Sequence, residues 1–524
     1  MPTLTINGTQ VTVDEGTTIL HAANSIGVQI PHFCYHPALS RPANCRMCLV
    51  EVKKANKPLP ACYNFCTEGM VVETESDLTH RARKSVLEFI LLNHPIDCPI
   101  CDQAGECKLQ DYYFAHSAQS SRLGELEKVH KVKAFPLGPE VVYDGERCIL
   151  CTRCVRFCEE VTQTRDLTVI ERNDLCEIRT FPGQELDNDY SLCTVDMCPV
   201  GALTDRNFRF KCRVWFMGST PSICTGCAKG CNIYVDHFQG EVQRYRPRTN
   251  PAVNAFWLCD HGRRTRLRLH RDRLSAPSAG AHGACTSVIA ITETVRRLRA
   301  FLKNNKGEQL AFIVSAESRN EDLLSVFDLA QRLGVQRCYL AAHPDDAFTL
   351  RRHPERHSDG ILIQADKNPN RRGAETLAAA AGIALRPLSD LPNDFAAGDV
   401  RALWCFTEAL PAAPELQQAL VKAVKNHLVI YQAPYQSWLS AVANIALPTP
   451  SHVEMAGSFV NGDGLCQGFA QAFPAPKPVL PHRAWIAAIA QRLRVRLDHP
   501  DDAALAAEIA RQLQQAPPTP ASGG

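Results

Sequence analysis

Cys148, Cys151, Cys154 and Cys158 follow a C-x2-C-x2-C-x3-C spacing. Thiolates three residues apart can converge on the corners of a metal–sulfur core, and iron–sulfur binding is the chemistry that such a run serves. A single C-x2-C would be weak evidence, because zinc sites, redox dithiols and chance all produce it. The doubled spacing is much harder to reach by accident, with structural zinc as the alternative. Three further sets accompany it: Cys34, Cys45, Cys48 and Cys62 as C-x10-C-x2-C-x13-C; His94, Cys98, Cys101 and Cys107 as H-x3-C-x2-C-x5-C; and Cys224, Cys227, Cys231 and Cys259 as C-x2-C-x3-C-x27-C. Taken alone, one imidazole with three thiolates could also be a Cys3His zinc site.

The central run needs a fourth ligand from elsewhere. In two-cluster ferredoxins the last cysteine of each run serves the other cluster. Cys198, before Pro199, is the expected partner of Cys148, Cys151 and Cys154. Cys158 would then require a second set ten, seven and four positions before Cys198, and those positions hold Asn188, Ser191 and Thr194. Cys176 and Cys193 are out of register. The reading is one cluster, with Cys158 a buried, non-ligating thiol. Cys66 reads as a small buried residue, the common fate of a free cysteine; Cys212 has no assigned role.

The elements that must position these residues are legible in part. Thr3–Ile6 and Gln10–Val13 read as strands around Asn7-Gly8, a favoured hairpin pair. A helix follows from Thr18 to Ile26, stopped by Gly27. Val86, Phe89 and Ile90 give helical spacing across Arg81 to Asn93, with Pro95 beyond its end. Arg206 to Lys211 and Arg213 to Trp215 read as a basic, aromatic strap packed on the cluster domains. After a connector at Ser275 to Gly280, Leu310–Val314, Ile361–Ile363, Ala402–Phe406 and Leu428–Tyr431 alternate with helical stretches such as Glu321–Leu333, predicting a parallel α/β sheet. No G-x-G-x-x-G follows a strand, so no dinucleotide site is expected.

The 524 residues allow several domains; 45% are hydrophobic and 21% charged, and the net charge of +2 gives no reason to expect nucleic acid or an anionic membrane as partner. Twenty of the 24 cysteines lie between Cys34 and Cys259, leaving Cys285, Cys338, Cys405 and Cys466 in a second half of different character. The start lacks the pattern of a secretory signal, and no apolar run is long enough to span a bilayer. The expectation is a reducing, cytoplasmic-side location in which many cysteines mean metal rather than disulfides.

The first and second sets, with the phrases Pro60-Ala61-Cys62 and Thr67 to Val72, resemble the large peripheral iron–sulfur subunit family of respiratory complex I, and related hydrogenase and formate dehydrogenase subunits. The resemblance implies a 2Fe-2S cluster on Cys34, Cys45, Cys48 and Cys62, and a 4Fe-4S cluster on His94, Cys98, Cys101 and Cys107. Replacing a thiolate by imidazole should raise the latter's potential, other influences being equal. The set from Cys224 resembles the 4Fe-4S segment of molybdopterin oxidoreductases and of the same complex I family. Ala365 to Gly373, Leu447-Pro448 and Glu454 to Asn461 resemble a shortened molybdopterin-binding domain, for which no molybdopterin is expected.

The implied fold is multidomain, α+β then α/β: a β-grasp ferredoxin over 1–78, a helical His-Cys cluster segment over 79–120, a bacterial-ferredoxin-like domain over 121–215, a molybdopterin-oxidoreductase-like cluster domain over 216–275, a truncated parallel α/β domain over 276–515 and a disordered tail over 516–524. The implied function is an electron relay holding one 2Fe-2S and three 4Fe-4S clusters, in the peripheral arm on the cytoplasmic face of the membrane. Its implied partners are a flavin/NADH-binding subunit and quinone-side iron–sulfur subunits, with membrane contact only through the membrane arm of the complex. The alternative is a subunit of an NAD-linked formate dehydrogenase or hydrogenase.

Overall fold

The computed structural model describes residues 1–117, 120–280, 283–498 and 502–515, so the tail expected over 516–524 lies outside the described residues. The chain divides into two compact units, Met1–Met217 and Gly218–Gly524.

The first unit opens with strands β1 (Thr3–Ile6) and β2 (Thr9–Thr12). Asn7 and Gly8 turn between them with φ of 49° and 81°, the doubly positive pair that a type I′ hairpin requires. Helix α1 (Ile19–Ser25) is capped by the Thr18 hydroxyl, which accepts from the His21 amide, and Gly27 follows its end with φ 80°. Strands β3 (Leu49–Val52), β4 (Leu59–Pro60) and β5 (Val71–Glu73) complete a sheet in the order β2-β1-β5-β3-β4, with β1 and β5 parallel. Leu4, Ile6, Ile19, Leu20, Val50 and Val72 form its core, and Cys66 is buried among them.

Helix α2 (Asp77–Leu91) follows, capped by Ser76. Its buried positions are Thr79, Arg83 and Leu87, and Phe89 is 74% exposed. The expected Val86–Phe89–Ile90 face is therefore not the one that packs. Arg83 can occupy the inner stripe because its guanidinium donates to the Thr74 carbonyl (2.7 Å) and to Glu75 (3.0 Å), a polar solution that apolar periodicity does not detect. Helix α3 (Lys108–His116) starts directly after Cys107.

Strands β6 (Phe135–Pro136) and β7 (Val141–Tyr143), helix α4 (Arg153–Glu160), the β8–β9 pair (Thr168–Ile170, Glu177–Arg179), helix α5 (Cys193–Asp196) and β10 (Leu203–Asp205) build the rest of the unit. The strap after β10 is anchored by Arg213, which donates to the carbonyls of Cys101 (2.6 Å) and Pro99 (2.5 Å). Its cation packs as expected. Its rings divide: Phe208 is buried, whereas Phe210 and Trp215 are more than half exposed.

The second unit begins with an antiparallel meander of β11 (Gly218–Ile223), β12 (Asn232–Phe238) and β13 (Glu241–Pro247), then helix α6 (Asp260–Arg264). Strand β14 (Ser278–Ala279) and helix α7 (Ser287–Asn304) lead into an α/β sheet. It contains β15 (Leu310–Ser315), β16 (Arg337–Ala341), β17 (Leu385–Pro387), β18 (Ala402–Phe406), β19 (Leu428–Ala433) and β20 (Ile445–Pro448), in the order β14-β20-β19-β18-β15-β16-β17. Only β14 pairs antiparallel. Every residue of β15 is buried, because alternate side chains feed two cores. Phe312 and Val314 face one, with Trp404 and Phe406; Ala311 and Ile313 face the other, with Leu403 and Cys405.

Helices α8 (Asn320–Leu333), α9 (Arg371–Ala380), α10 (Leu391–Ala396), α11 (Pro414–Val424), α12 (His482–Leu493) and α13 (Asp502–Gln515), with the hairpin β21–β22 (Gly457–Val460, Cys466–Phe469), complete the unit. Residues 361–363, expected as a strand, are not one: Asp359 accepts the amides of Ile361, Leu362 and Ile363, each at 2.9 Å, and curls the segment into a turn. The parallel part of the sheet is instead completed by β16, β17 and β20.

Trp485 of α12 is fully buried, and its indole donates to the Pro448 carbonyl at 2.9 Å. Trp485→Ala should lower the stability of this unit by about 3–5 kcal/mol, seen as an earlier denaturation midpoint. A loss below about 1 kcal/mol would mean that α12 does not contribute to the core.

Candidate iron–sulfur sites

The first set lies in the loops between α1 and β5. Cys34, Cys48 and Cys62 are buried, and Cys45 sits on a stretch in which Ala43 and Arg46 have φ of 52° and 58°. That left-handed backbone is uncommon outside glycine. The Cys45 sulfur accepts from the amides of Phe33 (3.5 Å) and Cys34 (3.4 Å). The thiols also contact one another: hydrogen bonds from Cys45 and Cys62 stabilise the Cys34 thiolate and hold it low, while the Cys45 and Cys62 thiols that donate them are pushed up.

The second set forms around the turn after α2. His94 and Cys107 border one cavity with Cys98, floored by Leu91, Leu92 and Leu109. Burial lowers the His94 imidazole to about 4, which keeps it neutral at ordinary pH, and its Nδ1 is buried with no hydrogen-bond partner among the described residues. A neutral imidazole with an unsatisfied buried nitrogen fits a metal ligand. Burial pushes the Cys107 thiol up to about 11. Cys101 is buried as well, and does not line that cavity.

In the central set Cys148, Cys151, Cys154 and Cys198 line one small cavity, with Tyr143, Ile178, Val200 and Leu203. Cys158 does not line it; it is fully buried on α4. Leu150 and Thr152 hold φ of 52° and 59°, a strained state for a β-branched threonine, and the Leu150 amide points at the Cys148 sulfur (3.4 Å). Burial first, and the neighbouring thiols second, push Cys198 up to about 12 and Cys154 well above its usual value. As bare thiolates these sulfurs would be poorly solvated and mutually repulsive, so they fit a cationic core. Among the described residues no three or more His, Cys, Asp or Glu side chains are spaced to hold one metal ion. A cluster differs from such an ion in spreading its ligands over several irons.

Where a second ferredoxin cluster would lie, the structure holds a buried polar network. Asn188 donates to Asp166 (2.7 Å), its amide to the Ser191 hydroxyl (3.0 Å), and Thr194 to the Ser191 carbonyl (2.7 Å). Cys176 donates instead to the Glu171 carbonyl, and Cys212 to that of Arg213.

The fourth set lies in the second unit, on the β11–β12 turn and before α6. Its sulfurs are all buried. The Gly226 amide points at Cys224 (3.4 Å) and the Gly262 amide at Cys259 (3.3 Å). Gly262 is required by proximity, since a Cβ there would lie 2.7 Å from the Cys224 sulfur. Burial pushes Cys224 up to about 12. The stretches resembling a molybdopterin-binding domain support this loop. Asp366 accepts the Ala228 amide (2.9 Å), Asn461 donates to the Lys229 carbonyl (3.2 Å) and the Gly462 amide donates to the Ala228 carbonyl (2.7 Å).

Two features of the first unit are not evident from spacing. Arg156 donates to the carbonyls of Cys34 (2.6 Å), Ser40 and Cys151 (3.4 Å), joining the first set to the central one. On the other side, the segment Pro199–Gly201 abuts the second set: Lys108 donates its amide to Pro199 (3.2 Å), and a Cβ on Gly201 would lie 2.4 Å from the Cys101 sulfur. The only sequence hint was the small pair Gly201-Ala202 after Cys198-Pro199.

Comparison with known proteins fits this arrangement. Four family models match in tandem: a 2Fe-2S iron–sulfur cluster binding domain over residues 1–77, the NADH-ubiquinone oxidoreductase-G iron–sulfur binding region over 83–122, the ferredoxin-like domain of NADH-quinone oxidoreductase subunit 3 over 138–204, and the molybdopterin oxidoreductase Fe4S4 domain over 217–271. The chain is thus a multidomain α/β iron–sulfur protein with 2Fe-2S and 4Fe-4S binding domains.

More particularly, it is similar to the G, or 75 kDa, subunits of NADH-quinone and NADH-ubiquinone oxidoreductases. It is 37% identical over 331 residues to the G subunit of Rickettsia conorii (63% of this chain, 49% of that one). The G subunit of Streptomyces coelicolor is 41% identical over 278 residues (52% and 33%). The 75 kDa subunit of NADH-ubiquinone oxidoreductase from Reclinomonas americana is 37% identical over 368 residues (70% and 52%). The chain spans about half or less of the length of these relatives. A solved structure of an NAD+-reducing [NiFe]-hydrogenase aligns with 41% of this chain and 91% of its own at 27% identity and a TM-score of 0.37.

Cys198→Ser should remove about four irons per chain, whereas Cys158→Ser should leave the iron content unchanged; iron loss from the latter would make Cys158 a ligand. Gly201→Ala should disturb the set around His94, although it is adjacent in sequence to the central set. The check is the paramagnetic spectrum of the reduced protein, and a change confined to the central cluster would show that the close approach to Cys101 does not matter.

Proposed function

We propose that this chain is the electron-relay iron–sulfur subunit of an NADH:quinone oxidoreductase, carrying one 2Fe-2S cluster on Cys34, Cys45, Cys48 and Cys62 and three 4Fe-4S clusters on the other sets. The observation that carries the reading is the shared boundary between neighbouring sets of the first unit. Arg156 bonds the carbonyls of both Cys34 and Cys151, and Pro199–Gly201 separates Cys198 from Cys101. The central set therefore adjoins both the Cys34 set and the His94 set. Clusters supply one-electron chemistry when bound. The protein's own part is to fix their spacing, to exclude water and to aim amide donors at sulfur.

Electrons would come from a flavin- and NADH-binding subunit and leave toward quinone-side iron–sulfur subunits, in a peripheral arm on the cytoplasmic face of the membrane. In keeping with a membrane partner supplied by other subunits, no helix among the described residues is long and apolar enough to cross a bilayer. The Cys224 set lies in the other compact unit and is read as a folding cluster outside the relay. The α/β part of that unit is read as a scaffold without molybdopterin, because Asp366, Asn461 and Gly462 already bond the cluster loop.

Metal analysis of the purified protein should give about fourteen irons per chain with no molybdenum or tungsten, and reduction should produce paramagnetic signals, to which zinc does not contribute. Stoichiometric molybdenum or tungsten would favour the formate dehydrogenase alternative, and zinc in place of iron would leave only a scaffold.

A further inference from the structure

We propose that Arg156 is a positioning residue for electron transfer that sets the reduction potentials of two clusters together, the one on the Cys34 set and the one on the Cys148 set. The inference rests on the iron–sulfur reading above and adds to it a role for a residue that is no ligand.

Arg156 lies on α4, two residues after Cys154, and is buried. Its Nη2 donates to the Cys34 carbonyl at 2.6 Å and to the Cys151 carbonyl at 3.4 Å, its Nη1 to the Ser40 carbonyl, and its Nε to the Thr152 hydroxyl at 3.3 Å. One planar cation thus holds the backbone of one ligand from each of two sites. A lysine could supply the charge but not this fork of donors. The loop it grips is secured again nearby: Glu160, at the end of the same helix, accepts from the Ser40 amide (2.7 Å), and Asn44 donates to the Leu150 carbonyl (3.2 Å). Arg153 of the same helix donates to the carbonyls of Met197 (3.1 Å) and Tyr35, reinforcing the junction from its other side.

Two consequences follow from electrostatics. Reduction adds one negative charge to a cluster, and a guanidinium that stays protonated favours that state at each site it faces. Being shared, the same charge moves both potentials in one direction, so the driving force between the two clusters changes less than either potential does. The clamp also fixes their separation, on which any magnetic interaction between the two reduced clusters depends.

Arg147 provides an internal comparison. It donates to Asp97 (3.3 and 2.6 Å), between His94 and Cys98, and so ties the central module to the second set rather than to the first. Arg156 and Arg147 therefore tie the central module to different neighbours.

The test is a redox titration of the loaded full chain in its assembly, followed by low-temperature paramagnetic resonance, for the wild type, Arg156→Met, Arg156→Lys and Arg147→Met. With iron retained, Arg156→Met should lower the reduced-to-oxidised ratio of both the Cys34-set and Cys148-set clusters about tenfold at fixed poise, a shift of 59 mV for one electron. It should leave the His94-set cluster in place. Arg156→Lys should recover most of the potential and not the magnetic interaction between the two clusters. Unmoved potentials in Arg156→Met, or an equal shift of all three clusters, would overturn the proposal. If Arg156→Met fails to hold iron, Arg156→Lys decides: a wild-type spectrum and a wild-type interaction would overturn the clamp. Arg147→Met should not lower the Cys34-set potential; a shift there equal to that of Arg156→Met would also overturn it. Absence of iron from the wild-type chain would instead defeat the iron–sulfur reading itself.

Discussion

Several sulfurs confined to one dry volume cannot all be charged unless positive charge is placed among them, because each thiolate loses its hydration and repels the others. This constraint organises the first unit from residue 94 onward. Its helices there are short, α5 being a single turn, and its sheets have two or three strands. Buried apolar side chains such as Val141, Phe157, Ile178 and Leu186 pack there between short elements. The sulfur-lined cavity of the central set lies among these side chains, against Tyr143, Ile178, Val200 and Leu203, so binding a cationic cluster and folding these loops are coupled. The left-handed backbone at Leu150 and Thr152 is tolerated for the same reason: it directs an amide at sulfur, and the surrounding ligands hold it there.

The four sets are not chemically equivalent. The first is the one whose thiols hydrogen-bond one another, which holds Cys34 and Cys48 low and pushes Cys45 and Cys62 up. The second includes a neutral imidazole, which makes any cluster it holds less negative than an all-thiolate one. The central set combines two buried thiols, Cys151 and Cys154, with two half-buried ones, Cys148 and Cys198. The fourth relies on two glycine amides and on a loop braced by its own α/β unit. Differences in ligand charge, burial and amide donation are the means by which a protein spreads cluster potentials without changing the cluster itself.

Much of this is readable from spacing alone. The cysteine intervals mark out each set, and the empty register at Asn188, Ser191 and Thr194 goes with a central cavity that Cys158 does not line. The Asn7-Gly8 hairpin and the α1 cap and stop follow from local rules that tertiary packing does not override. What remains hidden depends on buried polar partners. Arg83 took the inner face of α2 from Phe89 because a carbonyl and a carboxylate happened to be within reach, and Asp359 folded residues 361–363 away from the sheet by accepting three amides. Arg156 is two residues from a cysteine motif and looks like any helix-surface cation; only the proximity of two distant carbonyls distinguishes it. Such partners are set by the fold, and periodicity carries no trace of them.

Gly201 has a consequence for how such a chain can change over time. Its missing side chain makes the stretch after Cys198 and the loop bearing Cys101 a single partition, with a sulfur on one face and a ligand's neighbours on the other. A methyl group added on one side of this contact has to be answered by a shift on the other, so a boundary drawn between the two modules by sequence similarity crosses a packed contact rather than a linker.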